Sequence, residues 1–367
     1  MATKSRIVED AFRLGVGRYI QEEGAIARLG AEVTRLNKKR AFIIGGKTAL
    51  SLTESAIKDS LSSANIEYVF YLYEEFCNIK HAEKIVASEE YNACDIVIGV
   101  GGGNIMDVAK LCAVMGNRPI INIPTSSATC AAYTPLSVTY NERGQTVGTR
   151  HHAVEVNAVI VDMDILCRQP VRLLLSGVYD AMAKVPETSQ RLLGKSEDEV
   201  DIGLRSSFVL SQFIYDRMLA DLPAAVKDTS EGKCTKAVYD IVYLAIAVTG
   251  LISSLARGSN QCAIAHKIYE ACRTLYPEIT HPYLHGEMVA IGMISQMIYN
   301  GDSEETVNAF RAQMQNYGMP VTLTELGIPA DEAVLNAYYE SVANTPALAG
   351  VSDEEKKRFR ASLDIIK

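Results

Sequence analysis

Asp95-Ile-Val-Ile-Gly-Val-Gly-Gly-Gly-Asn-Ile-Met-Asp-Val-Ala-Lys110 is an apolar run that passes through three consecutive glycines into a helix-like pattern. An apolar run without alternation is typical of a strand covered on both faces, as in a parallel sheet. Glycines let backbone N–H groups approach an anion, and the start of a helix adds unpaired donors. The stretch therefore predicts a strand, a phosphate-binding turn and a helix.

The turn differs from the dinucleotide fingerprint Gly-x-Gly-x-x-Gly. That spacing requires glycine at position 104, where Asn104 stands, and no acidic residue follows about 20 residues later. We expect Asn104 to cap the helix and Asp107 to lie in its first turn. The pattern leaves open a tight turn that binds nothing, but it favours a phosphate cradle of another family.

Short apolar runs alternate with helical patterns through the first part of the chain, which is typical of an α/β layer fold. After about Pro170 the periodicity becomes helical. We predict an α/β nucleotide-binding domain with a parallel sheet over residues 1–165 and an all-helical metal-binding and substrate domain over residues 166–367. A cleft between two such domains is the usual location of a small-molecule site.

Composition limits the class of protein. The 367 residues include 48% hydrophobic and 22% charged residues with a net charge of -8, which is typical of a soluble globular protein and disfavours nucleic acid or an anionic membrane as a partner. We find no apolar run near the ~18 residues of a membrane span and no signal peptide at residues 1–10, so we expect a cytoplasmic protein. The eight cysteines are scattered singly, which predicts reduced thiols.

Three segments of the second half place an Asp or a His in small or apolar surroundings: Asp180-Ala-Met-Ala-Lys184, Ala265-His266 and His285-Gly-Glu-Met-Val289. One carboxylate and two imidazoles suit a catalytic Zn²⁺ or Fe²⁺ with a position open to substrate. The spacing of the two histidines requires two helices to converge. Each histidine alone is more often a hydrogen-bonded packing residue, so spacing leaves both interpretations open.

Taken together, these motifs resemble the iron-containing (group III) alcohol dehydrogenase and glycerol dehydrogenase family. The resemblance extends over nearly the whole chain and includes the glycine-rich loop, the three segments above, Leu14-Gly-Val-Gly-Arg-Tyr-Ile20 and Pro124-Thr-Ser-Ser-Ala-Thr129. It implies a dehydroquinate synthase-like architecture, NAD or NADP as cofactor, one divalent metal and metal-assisted hydride transfer to or from a small-molecule substrate. Family members are commonly homo-oligomers.

The resemblance also implies roles for individual residues. Asp180, His266 and His285 would be the metal ligands, and His281 is a candidate proton relay or a surface residue. The cofactor would be bound by the glycine turn and by residues that follow it along the chain: Gly101, Gly102, Gly103, Asn104, Asp107, Thr125, Thr134, Leu136 and Tyr140.

Three positions depart from the family pattern. Gly46 replaces an Asp that many NAD-preferring relatives carry, and Lys47 adds a cation, so we predict that NADP(H) is accepted. If Gly46 only makes the turn and Lys47 points to solvent, that preference does not follow. Pro186 replaces part of a stretch that usually carries aromatic residues, and it should disturb the helix after Asp180.

The third departure concerns the substrate. Cys130 stands where glycerol-oxidising relatives carry an Asp that can hold hydroxyl groups. Losing that carboxylate removes repulsion of an anionic substrate, about 4 kcal/mol at ~4 Å and an effective dielectric of roughly 20. The segment from residue 128 to 138 is similar to a hydroxycarboxylate dehydrogenase branch, so we predict 2-oxo acids as substrates. Glycerol dehydrogenase and a dehydroquinate-synthase-like cyclase remain alternatives, and Cys130 is equally suited to packing.

Overall fold

The computed structural model describes residues 14–256 and 263–367, so the chain start and Cys262 lie outside the described residues. Contacts divide the chain into two compact units. The first comprises residues up to 142, 146–177 and 219–254, and the second comprises residues 143–145, 178–218 and 255–367. Residues 166–177 and 219–254 therefore group with the sheet, whereas the predicted boundary at residue 165 placed them with the helices.

A six-stranded sheet forms the centre of the first unit, and every pair of neighbouring strands in it is parallel, as predicted. Its order is β1-β8-β5-β4-β2-β3. The strands are β1 (Tyr19–Glu22), β2 (Arg40–Gly45), β3 (Glu67–Leu72), β4 (Ile96–Gly101), β5 (Ile120–Pro124) and β8 (Ala158–Asp162), and an antiparallel hairpin adds β6 (Leu136–Tyr140) and β7 (Thr146–His151).

The central strands are almost entirely apolar because helices cover both faces of the sheet. Every residue of β4, β5 and β8 is buried, and so is β2 after Arg40. The helices with residues in this unit are α1 (Leu29–Arg35), α2 (Lys47–Ser63), α3 (Ile79–Val86), α4 (Glu89–Asn92), α5 (Gly103–Met115), α6 (Met163–Leu166), α7 (Val171–Met182), α9 (Ile202–Ser230), α10 (Lys236–Tyr243) and α11 (Thr249–Leu255).

The sheet order locates the point at which ligands of such folds bind. β2 pairs with β3 on one side and with β4 on the other, so the direction of the strand order reverses between β2 and β4. In open α/β sheets, ligands bind beyond the carboxyl ends of the strands at this switch point. Gly46 and the glycine turn lie at that edge, after β2 and β4 respectively.

The second unit is helical in the described residues. It contains the C-terminal end of α7, the first part of α9 and seven further helices: α8 (Lys184–Leu192), α12 (Ile264–Leu275), α13 (Pro277–Thr280), α14 (His285–Asn300), α15 (Glu304–Asn316), α16 (Glu332–Ala343) and α17 (Asp353–Leu363). The buried helix α14 lies at its centre and packs against α8, α12, α15 and α17. α7 ends at Met182, and Pro186 lies in the first turn of α8, where a missing N–H is tolerated. The expected disturbance after Asp180 is therefore present.

One helix bears on the expectation that no segment spans a membrane, and one pair of cysteines corrects the expectation of reduced thiols. Lys236–Leu255 forms a helical segment of 20 residues that is long and apolar enough to cross a membrane, although 67% of its most apolar window is buried inside the structure, as in a core helix. In addition, Cys167 and Cys234 form a disulfide, with Cα atoms 5.2 Å apart and a sequence separation of 67. The prediction of reduced thiols is wrong for this pair because pairing of cysteines far apart in sequence depends on tertiary proximity.

Candidate metal centre and nucleotide-binding edge

Three helices of the second unit bring the predicted metal ligands together. Asp180 lies near the C-terminal end of α7, His266 lies in the first turn of α12, and His285 is the first residue of α14. Glu287 Oε2 accepts the backbone N–H of Leu284 at 2.8 Å, which defines the start of α14 at His285. Local capping thus determines where His285 enters the site.

The side-chain geometry suits one ion. Nε2 of His266 and Nε2 of His285 each lie 3.2 Å from Oδ1 of Asp180. One ligand atom from each residue lies within 4.8 Å of the others. Two ligands bound tetrahedrally at ~2.1 Å from a cation lie roughly 3.4 Å apart. The two 3.2 Å distances are therefore compatible with a shared divalent ion.

A buried carboxylate that the sequence interpretation missed contacts His266. Oε1 of Glu187 lies 2.6 Å from Nδ1 of His266 and accepts the backbone N–H of the same residue at 3.1 Å. Because α7 ends at Met182 and Glu187 lies on α8, helical periodicity counted from Asp180 gave no signal for it. Tyr269 was also missed. Its ring packs edge-on against His285, with centroids 4.2 Å apart.

The charges of these residues are coupled. Burial favours a neutral Asp180, but His285 and hydrogen bonds from both histidines outweigh burial and hold its pKa well below the usual value. Burial also opposes a charged His266, yet Glu187 raises the pKa of His266. For His285 burial prevails and lowers the pKa, which favours the neutral imidazole that binds metals. The group therefore combines an ionised carboxylate with imidazole donors.

In the first unit, the glycine turn has the geometry of a cradle for an anion. Gly101 has φ +155°, and a Cβ there would meet Ile105 at 2.8 Å. A Cβ on Gly103 would lie 2.9 Å from Oγ1 of Thr129. A Cβ on Gly102 would lie 3.6 Å from Oγ of Ser126, which is an ordinary contact distance. At Gly101 and Gly103, the absence of a Cβ therefore lets the backbone pass close to Ile105 and Thr129. The residues present fit a bound pyrophosphate.

Two details of the turn differ from expectation. Gly102, and not Asn104, occupies the capping position of α5, and Asp107 lies in the second turn of that helix. Asn104 instead bridges to the loop after β3, accepting the N–H of Cys77 at 2.7 Å and donating to the carbonyl of Glu75 at 2.7 Å. The three glycines move the helix start two residues earlier, since a glycine also serves as a cap.

Asp107 and Lys110 form a buried ion pair, with Nζ 2.9 Å from Oδ1. Oδ2 of Asp107 accepts the N–H of Val138, and the ammonium of Lys110 donates to the carbonyls of Ala131, Thr134 and Leu136. These contacts hold the loop before β6 against α5. The contact of Asp107 with cofactor stays a prediction.

The remaining cofactor residues follow the sheet edge. Thr125 comes directly after β5, and its N–H donates to the carbonyl of Gly101 at 3.0 Å. Thr134 is buried, Leu136 and Tyr140 are half-buried at the two ends of β6, and the N–H of Tyr140 donates to the carbonyl of Cys77. The fold therefore brings Thr125 beside the turn, while the backbone carbonyl of Thr134 accepts a hydrogen bond from Lys110.

Three single residues have clear positions. Lys47 is exposed at the start of α2. The exposed Glu74 and Glu75 follow β3, and the N–H of Tyr73 donates to the carbonyl of Gly45, which brings this segment close to the end of β2.

Cys130 is buried, and its carbonyl accepts the N–H groups of Tyr133 and Thr134. His281 is exposed at the end of α13. Its relay role stays a prediction.

Residues 17–163 match the family model of iron-containing alcohol dehydrogenase. This chain carries an iron-containing alcohol dehydrogenase domain. The match confirms the resemblance drawn from the motifs and makes the protein an oxidoreductase of the alcohol dehydrogenase type. The family implies NAD(P) and a divalent metal.

Curated relatives of this chain align over most of their length. Hydroxycarboxylate dehydrogenase A of Escherichia coli strain K12 is 29% identical over 318 residues, which cover 86% of this chain and 85% of the relative. Glycerol dehydrogenase of Thermotoga maritima is 27% identical over 315 residues, covering 85% and 84%. These relatives favour hydride transfer over the cyclase alternative.

Solved structures confirm the fold of this chain. Glycerol dehydrogenase from Schizosaccharomyces pombe superimposes with a TM-score of 0.81 at 24% identity, covering 96% of this chain and 90% of that chain. NADH-dependent butanol dehydrogenase A from Thermotoga maritima gives a TM-score of 0.72 at 18% identity, covering 97% and 98%. Such similarity at low identity supports the architecture alone.

Proposed function

We propose that this metal-dependent alcohol dehydrogenase interconverts small 2-oxo acids and 2-hydroxycarboxylates with NADP(H) or NAD(H), and that Asp180, His266 and His285 hold its metal. The observation that carries the metal site is the shared position of Oδ1 of Asp180, 3.2 Å from both imidazole Nε2 atoms. A divalent cation, Zn²⁺ or Fe²⁺, supplies Lewis acidity toward a substrate oxygen when it is bound.

The glycine turn would hold the cofactor by its pyrophosphate. Gly103 and Asn104 begin α5, so their N–H groups have no acceptor within the helix and face the end at which the helix dipole is positive. Gly46 offers no carboxylate to repel a 2′-phosphate, and Lys47 adds a cation next to it. Glu74 and Glu75 oppose that effect, so we expect NADP(H) to be accepted without exclusion of NAD(H).

Two observations support an anionic substrate. Cys130 supplies no carboxylate at the position where glycerol-oxidising relatives have one, and its buried side chain carries no charge as a thiol. Near the candidate ligands, the buried ammonium of Lys184 acts electrostatically on Asp180, His266 and His285. Added positive charge stabilises a bound carboxylate more than it stabilises a neutral polyol.

Glycerol oxidation is the second candidate, because several relatives at 27% identity are glycerol dehydrogenases. A substrate panel separates the two. We expect kcat/KM for 2-oxobutanoate or 2-oxoglutarate to exceed that for glycerol or dihydroxyacetone by more than tenfold. Efficient glycerol turnover with no activity on either 2-oxo acid would refute the proposal. We also propose that the protein is a homo-oligomer, which light scattering at several protein concentrations would test. We propose no nucleic-acid or membrane partner.

A further inference from the structure

Glu187 occupies a central position beside the candidate metal centre. It lies on α8, and its side chain is fully buried. A single carboxylate oxygen, Oε1, contacts His266 twice, through the backbone N–H at 3.1 Å and through Nδ1 at 2.6 Å. A buried carboxylate is costly unless it forms strong hydrogen bonds, so this double contact accounts for its burial.

The double contact determines which nitrogen of His266 carries a proton. If Nδ1 donates to the carboxylate, the neutral ring has its lone pair on Nε2, which lies 3.2 Å from Oδ1 of Asp180. Two acceptor atoms would then face each other at hydrogen-bond distance, an arrangement that a cation between them stabilises. Carboxylate contacts of this kind fix the ring orientation of metal-bound histidines and increase their basicity.

A buried polar network joins α8, α12 and α14 next to this contact. Gln296 on α14 accepts the N–H of Ala265 through Oε1 at 3.1 Å and donates to Oε1 of Gln190 on α8 at 2.9 Å. The first N–H groups of α12 are thus bound by side chains of α8 and α14.

Lys184 supplies a compensating charge on the same helix. Its Nζ lies 3.9 Å from Oε2 of Glu187, and both side chains are buried. Burial weakens screening by solvent, so the ammonium attracts this carboxylate more strongly than it would at the surface.

We propose that Glu187 is a positioning residue that fixes the tautomer and the orientation of His266 and thereby strengthens metal binding. This inference rests on the proposed metal site. The competing interpretation is that Glu187 only caps the start of α12 and has no effect on the metal.

The test measures metal affinity instead of turnover. The Kd of Zn²⁺ is determined by chelator competition for the full-length wild type, Glu187→Gln and Thr188→Val. Glutamine keeps the shape and one acceptor oxygen but loses the charge. Thr188 is equally buried on α8 and donates only to carbonyls of its own helix, so Thr188→Val controls for damage to α8. We expect a Kd raised roughly 10- to 100-fold for Glu187→Gln and a change below about twofold for Thr188→Val.

A Kd for Glu187→Gln within about twofold of the wild type would overturn the inference and leave only the capping role. If Glu187→Gln does not fold, nitrogen-15 spectra of the six histidines in the zinc-loaded wild type decide the question. We expect His266, assigned by its loss in His266→Gln, to carry its proton on Nδ1. A proton on Nε2 contradicts the inference. Absence of tight metal binding in the wild type would instead refute the proposed function itself.

Discussion

Nε2 of His285 lies 3.2 Å from Oδ1 of Asp180, although the two are 105 positions apart in sequence. The same oxygen lies 3.2 Å from Nε2 of His266, which belongs to a third helix. One carboxylate oxygen therefore joins three segments of chain that share no local sequence signal. Because Asp180 and His266 are buried and His285 is half-buried, loss of Asp180 leaves two imidazoles without this acceptor.

Asp180→Asn should abolish metal binding while keeping the shape of the side chain. An amide is a much weaker metal ligand than a carboxylate, and the site also loses the negative charge that attracts a cation. We expect metal content near zero and kcat/KM lowered more than roughly 100-fold, measured by elemental analysis and initial rates. His281→Ala is the control. It should retain metal because the His281 side chain is exposed and lies outside the group. Full metal content in Asp180→Asn would disprove the assignment.

Gly102→Ala and Gly101→Ala should separate cofactor binding from folding. A Cβ on Gly102 would lie at ordinary contact distance from Ser126, so the fold should remain stable while the methyl group fills the phosphate cradle. A Cβ on Gly101 would clash with Ile105 at φ +155° and should lower stability. We expect the Kd of NAD(H) to rise more than about tenfold in Gly102→Ala with an unchanged Tm. Unchanged affinity there would argue against the cradle.

Gly46→Asp should shift the cofactor preference toward NADH. A carboxylate at this position accepts from the ribose 2′-OH and repels a 2′-phosphate. We expect the ratio of kcat/KM for NADPH to that for NADH to fall more than about tenfold. Lys47→Gln should lower the same ratio by less, since an exposed ammonium is screened by salt. A ratio unaffected by both changes would place the 2′-position elsewhere.

His152 should make stability depend on pH. Burial, then the charges of Lys110 and His151, lower the pKa of His152 to about 3, and its Nε2 lies 2.8 Å from Oγ of Ser137. The unfolded chain binds a proton near pH 6.5 that the folded protein refuses, so stability falls as the pH drops from 6.5 toward 3.

Between pH 7 and pH 5 this linkage amounts to at most about 2 kcal/mol, because part of the ring is exposed. We expect His152→Gln to lose correspondingly less unfolding free energy over that interval, measured by urea denaturation with matched m-values. His281→Gln is the control at an exposed site. If the wild type and His152→Gln have parallel pH profiles, the histidine is not held neutral by the fold.

The local elements of the fold could be predicted because their signals lie within a few residues. β4, the glycine turn and α5 follow from one continuous stretch, since burial on both faces requires an apolar strand and the close approach of backbone requires glycine. The helix break after Met182 could also be predicted, because Pro186 is a local signal that disturbs a helix. Motifs in order along the chain also identified the family.

Contacts between distant segments could not be predicted in this way. The sequence assigned Asn104 and Asp107 to the turn, but the fold uses them to bind Cys77 and Val138, and it pairs Cys167 with Cys234. Hydrogen-bonding side chains satisfy whichever partner the packing of helices and strands brings near, and that partner is set by three-dimensional proximity.

The amino-acid sequence by itself determined the parallel α/β layer, the glycine turn and the residue types of the candidate metal centre, because periodicity and backbone sterics act locally. Only the tertiary structure decided that Oδ1 of Asp180 meets two imidazoles and that Glu187 binds His266 on the opposite side of its ring. Those distances depend on how α7, α8, α12 and α14 pack, and packing is determined by the shapes of all the buried side chains together.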